Sequence, residues 1–181
     1  MPRVPNRAAA KPLAIIVMGV SGSGKTTLGR SLSQVLDCRY LEGDAFHSAD
    51  SIAKMAAGVA LTDADRWPWL DRLGAALGDA ARGGSVAVAA CSALRRTYRD
   101  RLRGATGCDT AFVHLAVDRA ELARRMCSRP GHYMPVSLLD SQLALFEPLG
   151  TDELASSFGA GEDDGRVMER VVAWLRAARP D

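Results

Sequence analysis

The chain has 181 residues, 48% of them hydrophobic and 24% charged, with a formal net charge of +2. That length suits one domain with a full core. The near-balanced charge gives no reason to expect nucleic acid or a membrane surface as partner, and the longest apolar runs, near 13–18 and 86–91, are too short to span a bilayer.

Residues 1–12 carry Pro, Arg and Ala without the apolar stretch of a signal peptide, and read as a disordered tail. Residues 13–181 read as a single domain. Leu13–Met18 is an apolar run of buried-strand length. It leads into Gly19-Val20-Ser21-Gly22-Ser23-Gly24-Lys25-Thr26, which fills the pattern of glycine, four residues, glycine, lysine and Ser/Thr. Thr27–Leu36 follows at helical spacing, with Leu28, Leu32, Val35 and Leu36 on one side.

A loop of this kind cradles phosphate. Glycines let successive N–H groups point inward, and the helix adds the positive end of its dipole. Lys25 supplies a mobile charge for the β- and γ-phosphates, and the Thr26 hydroxyl fits Mg²⁺. Gly19 to Thr27 is therefore the expected ATP contact.

Cys38–Leu41 reads as a second strand, ending at Glu42-Gly43-Asp44. Ser48 caps a helix with Ile52, Met55 and Ala56 on one face, which Gly58 ends. Leu61–Arg66 reads as a connector, and Pro68 as the first turn of a helix striped with Trp69, Leu70, Leu73, Leu77 and Ala80. Ser85–Ala90 is a third strand, delivering Cys91-Ser92-Ala93. Arg95, Arg99 and Arg103 repeat at four-residue spacing on the next helix and read mostly as a solvated face. Ala111–Val117 is a fourth strand, and Asp118 caps a helix over Arg119–Ser128. Arg129–Pro135 is a loop, Ser137–Phe146 a helix, Leu154–Phe158 a poor strand, and Val167–Ala178 a terminal helix. Strands alternating with helices give an α/β fold: three layers, about five parallel strands, helices on both faces. Ligands then sit at the carboxyl ends of the strands.

That rule selects the candidates. Asp44 is expected to follow a strand beside the first. There it can accept a proton from an attacking hydroxyl or hold Mg²⁺ through water; capping the next helix is the plainer role. His47 fits either a polyol contact or a helix start. Lys54 and Arg66 fit either a carboxylate clamp on the acceptor or surface ion pairs. Ser92 and Arg95 lie at the third strand end. Arg125, Arg129 and His132 fall in a lid spanning roughly 124–136, whose arginines would reach the transferring phosphoryl group. Trp67 and Trp69 read as packing. His114 reads as a core or sheet-edge histidine.

The four cysteines form no C-x-x-C pair and the three histidines are scattered, so neither a zinc site nor a disulfide framework is expected, and free thiols fit a reducing cytoplasm. The chain has no guanine-reading N-K-x-D and no strand ending in Asp-Glu, which turns the reading from switch GTPases and motors toward a small-molecule kinase.

Several longer segments then carry a resemblance. They are the phosphate loop, Gly43-Asp44 with His47, Lys54-Met-Ala-Ala-Gly58, Leu61-Thr-Asp-Ala-Asp-Arg66 with Pro68-Trp69-Leu70, Cys91-Ser-Ala-Leu-Arg-Arg-Thr-Tyr-Arg-Asp100, and Gly131-His-Tyr-Met134 with Leu138-Leu-Asp-Ser-Gln142. Together they resemble the gluconokinases, small P-loop kinases related to shikimate kinase. The resemblance covers roughly residues 13–150. It implies ATP-dependent phosphorylation of the 6-hydroxyl of D-gluconate, Mg²⁺ use, a mobile lid and a homodimer in the cytoplasm. It also implies Asp44 as base or Mg²⁺ partner and Arg125 and Arg129 as lid arginines. Two departures stand out: Ala64 interrupts the acidic D-[DE]-D-R segment, and the segment 154–161 is rich in Ala, Ser and Gly. Another hydroxy acid such as shikimate, a nucleoside monophosphate, or a nucleotide-binding regulatory module without phosphotransfer are the alternative readings.

Overall fold

The computed structural model describes residues 11–127, 136–159 and 164–178. The expected tail up to residue 10, and residues 128–135 of the expected lid with Arg129 and His132, lie outside the described residues.

Leu13–Met18 forms strand β1, and all six of its residues are buried. A strand with no polar face has to sit inside a sheet covered on both sides. The other elements supply that cover. They run α1 (Lys25–Val35), β2 (Arg39–Glu42), a 3₁₀ turn (Gly43–Phe46), α2 (Ala49–Ala56), α3 (Asp63–Gly84), β3 (Val86–Ala90), α4 (Arg96–Thr106), β4 (Asp109–Ala116), α5 (Arg119–Cys127), α6 (Val136–Leu145), β5 (Ala155–Gly159) and α7 (Asp164–Ala178). The sheet has five strands in the order β2-β3-β1-β4-β5, and every neighbouring pair is parallel.

β1 separates two apolar layers. Ala14, Ile16 and Met18 pack with Leu70, Leu73 and Leu77 of α3 and Leu102 of α4. Leu13, Ile15 and Val17 pack with Leu28 and Leu32 of α1 and Val171 of α7. Alternation along a single strand thus makes the three layers. Each fully buried Ile or Leu contributes about 2 kcal/mol.

Three expectations are corrected. β2 does not neighbour β1; β3 lies between them. α3 starts at Asp63 rather than near Pro68. A capping box sets the start: Asp65 N donates to Thr62 Oγ1 at 3.3 Å, and Thr62 N donates to Asp65 Oδ2 at 2.9 Å. Pro68 then falls in the second turn on the exposed side, where the carbonyl its missing N–H leaves open belongs to exposed Ala64. Finally, the segment expected to be a poor strand is a regular edge strand, in register with β4 from Phe112 opposite Ala155 to Ala116 opposite Gly159.

Candidate active site

The phosphate loop joins β1 to α1. Gly24 takes φ 98° as the residue before the helix, a backbone that an L side chain rarely adopts, and no side chain caps the first turn. The first N–H groups of α1 are left for an anion. Lys25 Nζ donates to Val20 O at 2.8 Å, folded back over its own loop. Thr26 is exposed, and its hydroxyl donates to Glu42 Oε2 at 3.1 Å. Glu42 also accepts from the Tyr40 hydroxyl at 2.8 Å. Burial, then that carboxylate, raises the Tyr40 pKa, so the phenol stays a donor. Lys25, Thr26, Glu42 and Asp44 line one hollow at this end of the loop.

A second cavity, of about 260 Å³, opens against the other side of the loop. Ser21, Lys25, Asp44, His47, Arg66 and Ser92 all line it. Asp44 is aimed there by the 3₁₀ turn, which is pinned from α3. Trp69 Nε1 donates to Gly43 O at 2.7 Å, and Arg72 Nη2 to Phe46 O at 2.8 Å. Gly43 itself passes so close to Ala90 O that a Cβ would collide with it. The Asp44 side chain is 85% exposed.

His47 is the opposite case, with a side chain only 5% exposed. Its ring stacks on Trp69 with centroids 4.1 Å apart, and Nε2 lies 3.9 Å from Asp44 Oδ1. Burial lowers its pKa, with Arg66 and Arg72 adding to the effect and Asp44 opposing it, so the ring is neutral at pH 7. Its Nδ1 is buried and finds no hydrogen-bond partner among the described residues.

Arg66 is held by α3 and α4 together. Its Nη1 donates to the Tyr98 hydroxyl at 3.3 Å, and the guanidinium carbon lies 5.5 Å from the Tyr98 ring centre. Tyr98 in turn donates to Asp63 Oδ1 at 2.6 Å. Asp63 also accepts from Arg95 Nη1 at 3.0 Å.

Ser92 is presented by the loop after β3. Its carbonyl accepts from Gly19 N at 3.3 Å, tying that loop to the phosphate loop. The next residue, Ala93, has φ 44°, a strained position for a residue with a Cβ. Arg99 holds it. Its guanidinium donates to Leu94 O at 3.1 Å, Glu147 O at 3.2 Å and Pro148 O at 3.1 Å, and Nε donates to Glu153 at 2.7 Å. Both side chains of the Arg99–Glu153 pair are 0% exposed. The expected solvated arginine face is therefore corrected: Arg99 is a buried fastener.

The candidate residues separate cleanly. Lys25, Asp44, His47, Arg66 and Ser92 come together around one cavity. Lys54 does not line it; its ammonium pairs with Asp65 Oδ1 at 2.7 Å. Arg95 does not either, being committed to Asp63 and Glu147. Arg125 lies away from that cavity, lining another of about 500 Å³ with Gly24, Thr27 and Met168. Its Nε donates to Glu121 Oε1 at 2.6 Å, and Arg124 together with Arg125 holds that carboxyl down to about 2.

Sequence reasoning passed over two residues, Glu42 and Gln142. Glu42 ends the strand that leads to Asp44, so its strand-end position is the signal. Gln142 carried none beyond its place in the resemblance; it reaches the loop only through folding. Trp69, read as packing, both packs and lines the cavity that Asp44 and Arg66 line. The Cys91 thiol is buried and pushed up to about 12, which leaves it inert. Among the described residues there is no cluster of three His, Cys, Asp or Glu to hold a metal, and no helix long and apolar enough to cross a membrane.

The chain is similar to known proteins in sequence and in fold. A family profile described as an AAA domain matches residues 15–149. A gluconokinase from Gluconobacter oxydans (strain 621H) is 42% identical over 167 residues, covering 92% of this chain and 93% of that protein. The chain belongs to the gluconokinase family. The crystal structure of a gluconokinase from Sinorhizobium meliloti 1021 superposes with a TM-score of 0.82 at 39% identity, covering 92% of this chain and 93% of the other. A shikimate kinase from Bacteroides thetaiotaomicron shares the fold alone, with a TM-score of 0.65 at 19% identity over 92% of this chain and 99% of the other.

Proposed function

We propose that this chain transfers the γ-phosphoryl group of ATP to the 6-hydroxyl of D-gluconate, giving 6-phosphogluconate and ADP. One observation carries the reading. A single cavity has the phosphate loop's Ser21 and Lys25 on one side, a carboxylate, Asp44, at its edge and a fixed guanidinium, Arg66, in its wall. A sugar acid has both features such a cavity needs: a hydroxyl to direct at the phosphate and a carboxylate to pair with Arg66.

In the transfer, the acceptor oxygen forms its bond to the γ-phosphorus. The bond from phosphorus to the bridging oxygen breaks, and ADP leaves with that electron pair. The hydroxyl proton passes to the Asp44 carboxylate. Neutral His47 beside Asp44 offers a further contact to the polyol. Lys25 and Arg125 offset charge on the phosphates, Arg129 of the lid is assigned to the same step, and His132 is assigned to the acceptor. The Thr26 hydroxyl with Glu42 and Asp44 forms a hard-oxygen donor set that fits Mg²⁺ directly or through water. When bound, Mg²⁺ would neutralise charge on the β- and γ-oxygens. The resemblance also supports a homodimer in the cytoplasm. Sedimentation and cell fractionation test those two points, and chelation by EDTA tests the metal.

The test of the reaction is ADP release measured over a panel of gluconate, glucose, shikimate and nucleoside monophosphates. Gluconate is expected to be turned over at least about a hundredfold more efficiently than glucose, which lacks the carboxylate for Arg66. Equal turnover of gluconate and glucose would sink the assignment.

A further inference from the structure

Ser21 lies on the boundary between the acceptor cavity and the phosphate-end hollow, and lines both. Its backbone N–H is taken by a side chain far away in sequence: it donates to Gln142 Oε1 at 2.7 Å, across 121 positions. Gln142 sits on α6, and Ser141 and Leu145 of the same helix line the acceptor cavity.

The helix has a second hold on the loop. Leu139 is fully buried in a small apolar cluster with Val20, Leu94 and Leu122. Two adjacent loop residues are thus gripped by one helix, Val20 by packing and Ser21 by a hydrogen bond. The packing contact fixes where α6 lies. The hydrogen bond fixes which group faces the mouth between the two cavities.

The chemistry of the side chain matters at that place. A loop N–H that does not meet phosphate has to meet another acceptor. A carboxamide oxygen provides one without adding charge next to the phosphate site. A carboxylate would add an anion there. A small apolar side chain would leave the N–H to water, and water is the competing nucleophile for the phosphoryl group.

We propose that Gln142 is a positioning residue that clamps α6 onto the phosphate loop at Ser21, so that the phosphoryl group is directed to the acceptor and kept from water. The proposal rests on the gluconate reading above. In the productive reaction the acceptor oxygen forms the new bond to phosphorus, ADP leaves, and the proton goes to Asp44. In the leak a water oxygen takes the acceptor's place, and the products are ADP and inorganic phosphate.

The experiment measures, in one reaction mixture with the full chain, inorganic phosphate and 6-phosphogluconate formed per ATP consumed. Gln142→Ala is expected to raise the share of ATP lost to water about fivefold to tenfold, the change that loss of one neutral hydrogen bond carries. KM for gluconate rises by a similar factor, and KM for ATP stays within about twofold. Gln142→Glu keeps an acceptor oxygen for Ser21 and is expected to restore the low leak while raising KM for ATP, because it sets a negative charge beside the phosphates. Gln142→Asn falls one methylene short and should leak like the alanine variant; it carries the test if Gln142→Ala does not fold. Ala144→Ser, at an exposed position of the same helix that lines neither cavity, should leave the partition unchanged. A folded Gln142→Ala or Gln142→Asn enzyme with the wild-type partition of ATP overturns the proposal. Failure of the gluconate reading looks different: the wild-type chain would then show no gluconate-stimulated turnover, while its slow hydrolysis of ATP would still rise in Gln142→Ala.

Discussion

The acceptor cavity has two walls built in opposite ways. One is made by α3 and the 3₁₀ turn, braced from behind by the start of α4. Trp69 is buried and bonded to Gly43, Arg72 bonds Phe46, and Asp63, Arg66, Tyr98 and Arg95 form one connected polar set. The other wall is α2 and the segment to Ala60. Ser51 is its single buried residue before Leu61, while Ile52 and Val59 are each 53% exposed and Met55 43%. The first wall fixes charge and direction. The second has little buried apolar area to resist opening, which is what a site that must admit and release a polyol needs.

The sharpest way to use this contrast is to alter one wall and ask which property moves. Asp44→Asn changes the group that the fixed wall aims, without touching the packing beneath it. The expected result is a fall in kcat of about 10² to 10⁴, with a melting temperature close to wild type because the side chain is exposed. Steady-state kinetics alongside a thermal melt check both halves.

Arg99→Met acts on the support under the fixed wall. It leaves buried Glu153 with only Arg96, 3.6 Å away, as a cationic neighbour and takes the donor from three carbonyls, and the expected loss of stability is about 3–5 kcal/mol. Denaturant unfolding should show most of that loss recovered in Arg99→Met/Glu153→Leu, where no buried charge remains.

His114 tests the neighbouring sheet edge by pH. Its Nδ1 lies 2.9 Å from Ser157 Oγ and its ring stacks on Phe146, at 4.4 Å between centroids. Burial first, and Arg99 second, lower its pKa from 6.5 to about 4. The folded chain then keeps the ring neutral down to about pH 4, whereas the unfolded chain takes up a proton near pH 6.5. Stability should fall as pH drops through that window, by up to about 3 kcal/mol. Unfolding curves across the window should show a shallower slope for His114→Asn than for wild type.

Smaller effects separate binding from architecture. Arg66→Lys removes the planar fork and its stacking on Tyr98 but keeps the charge; KM for gluconate should rise about tenfold with kcat little changed. On the loose wall, Ile52→Ser should alter stability by less than about 0.5 kcal/mol. A loss well above that would mean α2 is packed as firmly as α3.

Much of this was legible in the chain before folding. An apolar run, a filled phosphate-loop pattern and alternating helical and strand periods specify the layers and the end of the sheet where ligands bind. What was not legible depended on partners distant in sequence. Arg99 sits in an i, i+4 arginine series that looks solvated, and Glu153, its partner, is 54 positions away. Gln142 is one polar residue on a helix until the fold brings it to Ser21. Strand order had the same difficulty: nothing local to Cys38–Leu41 reports that β3 inserts between it and β1. The start of α3 was different. Thr62 and Asp65 spelled a capping box in plain view, and Pro68 outweighed it only because proline favours a first turn and also tolerates an exposed second one.

The central claim is the transfer itself, and ³¹P NMR of the full chain with ATP, Mg²⁺ and D-gluconate follows it directly. The account predicts one phosphomonoester on carbon 6 of gluconate for each ADP formed, with the γ-phosphate signal of ATP falling in step. Formation of ADP with inorganic phosphate alone, or of a phosphate ester on another hydroxyl, would contradict it.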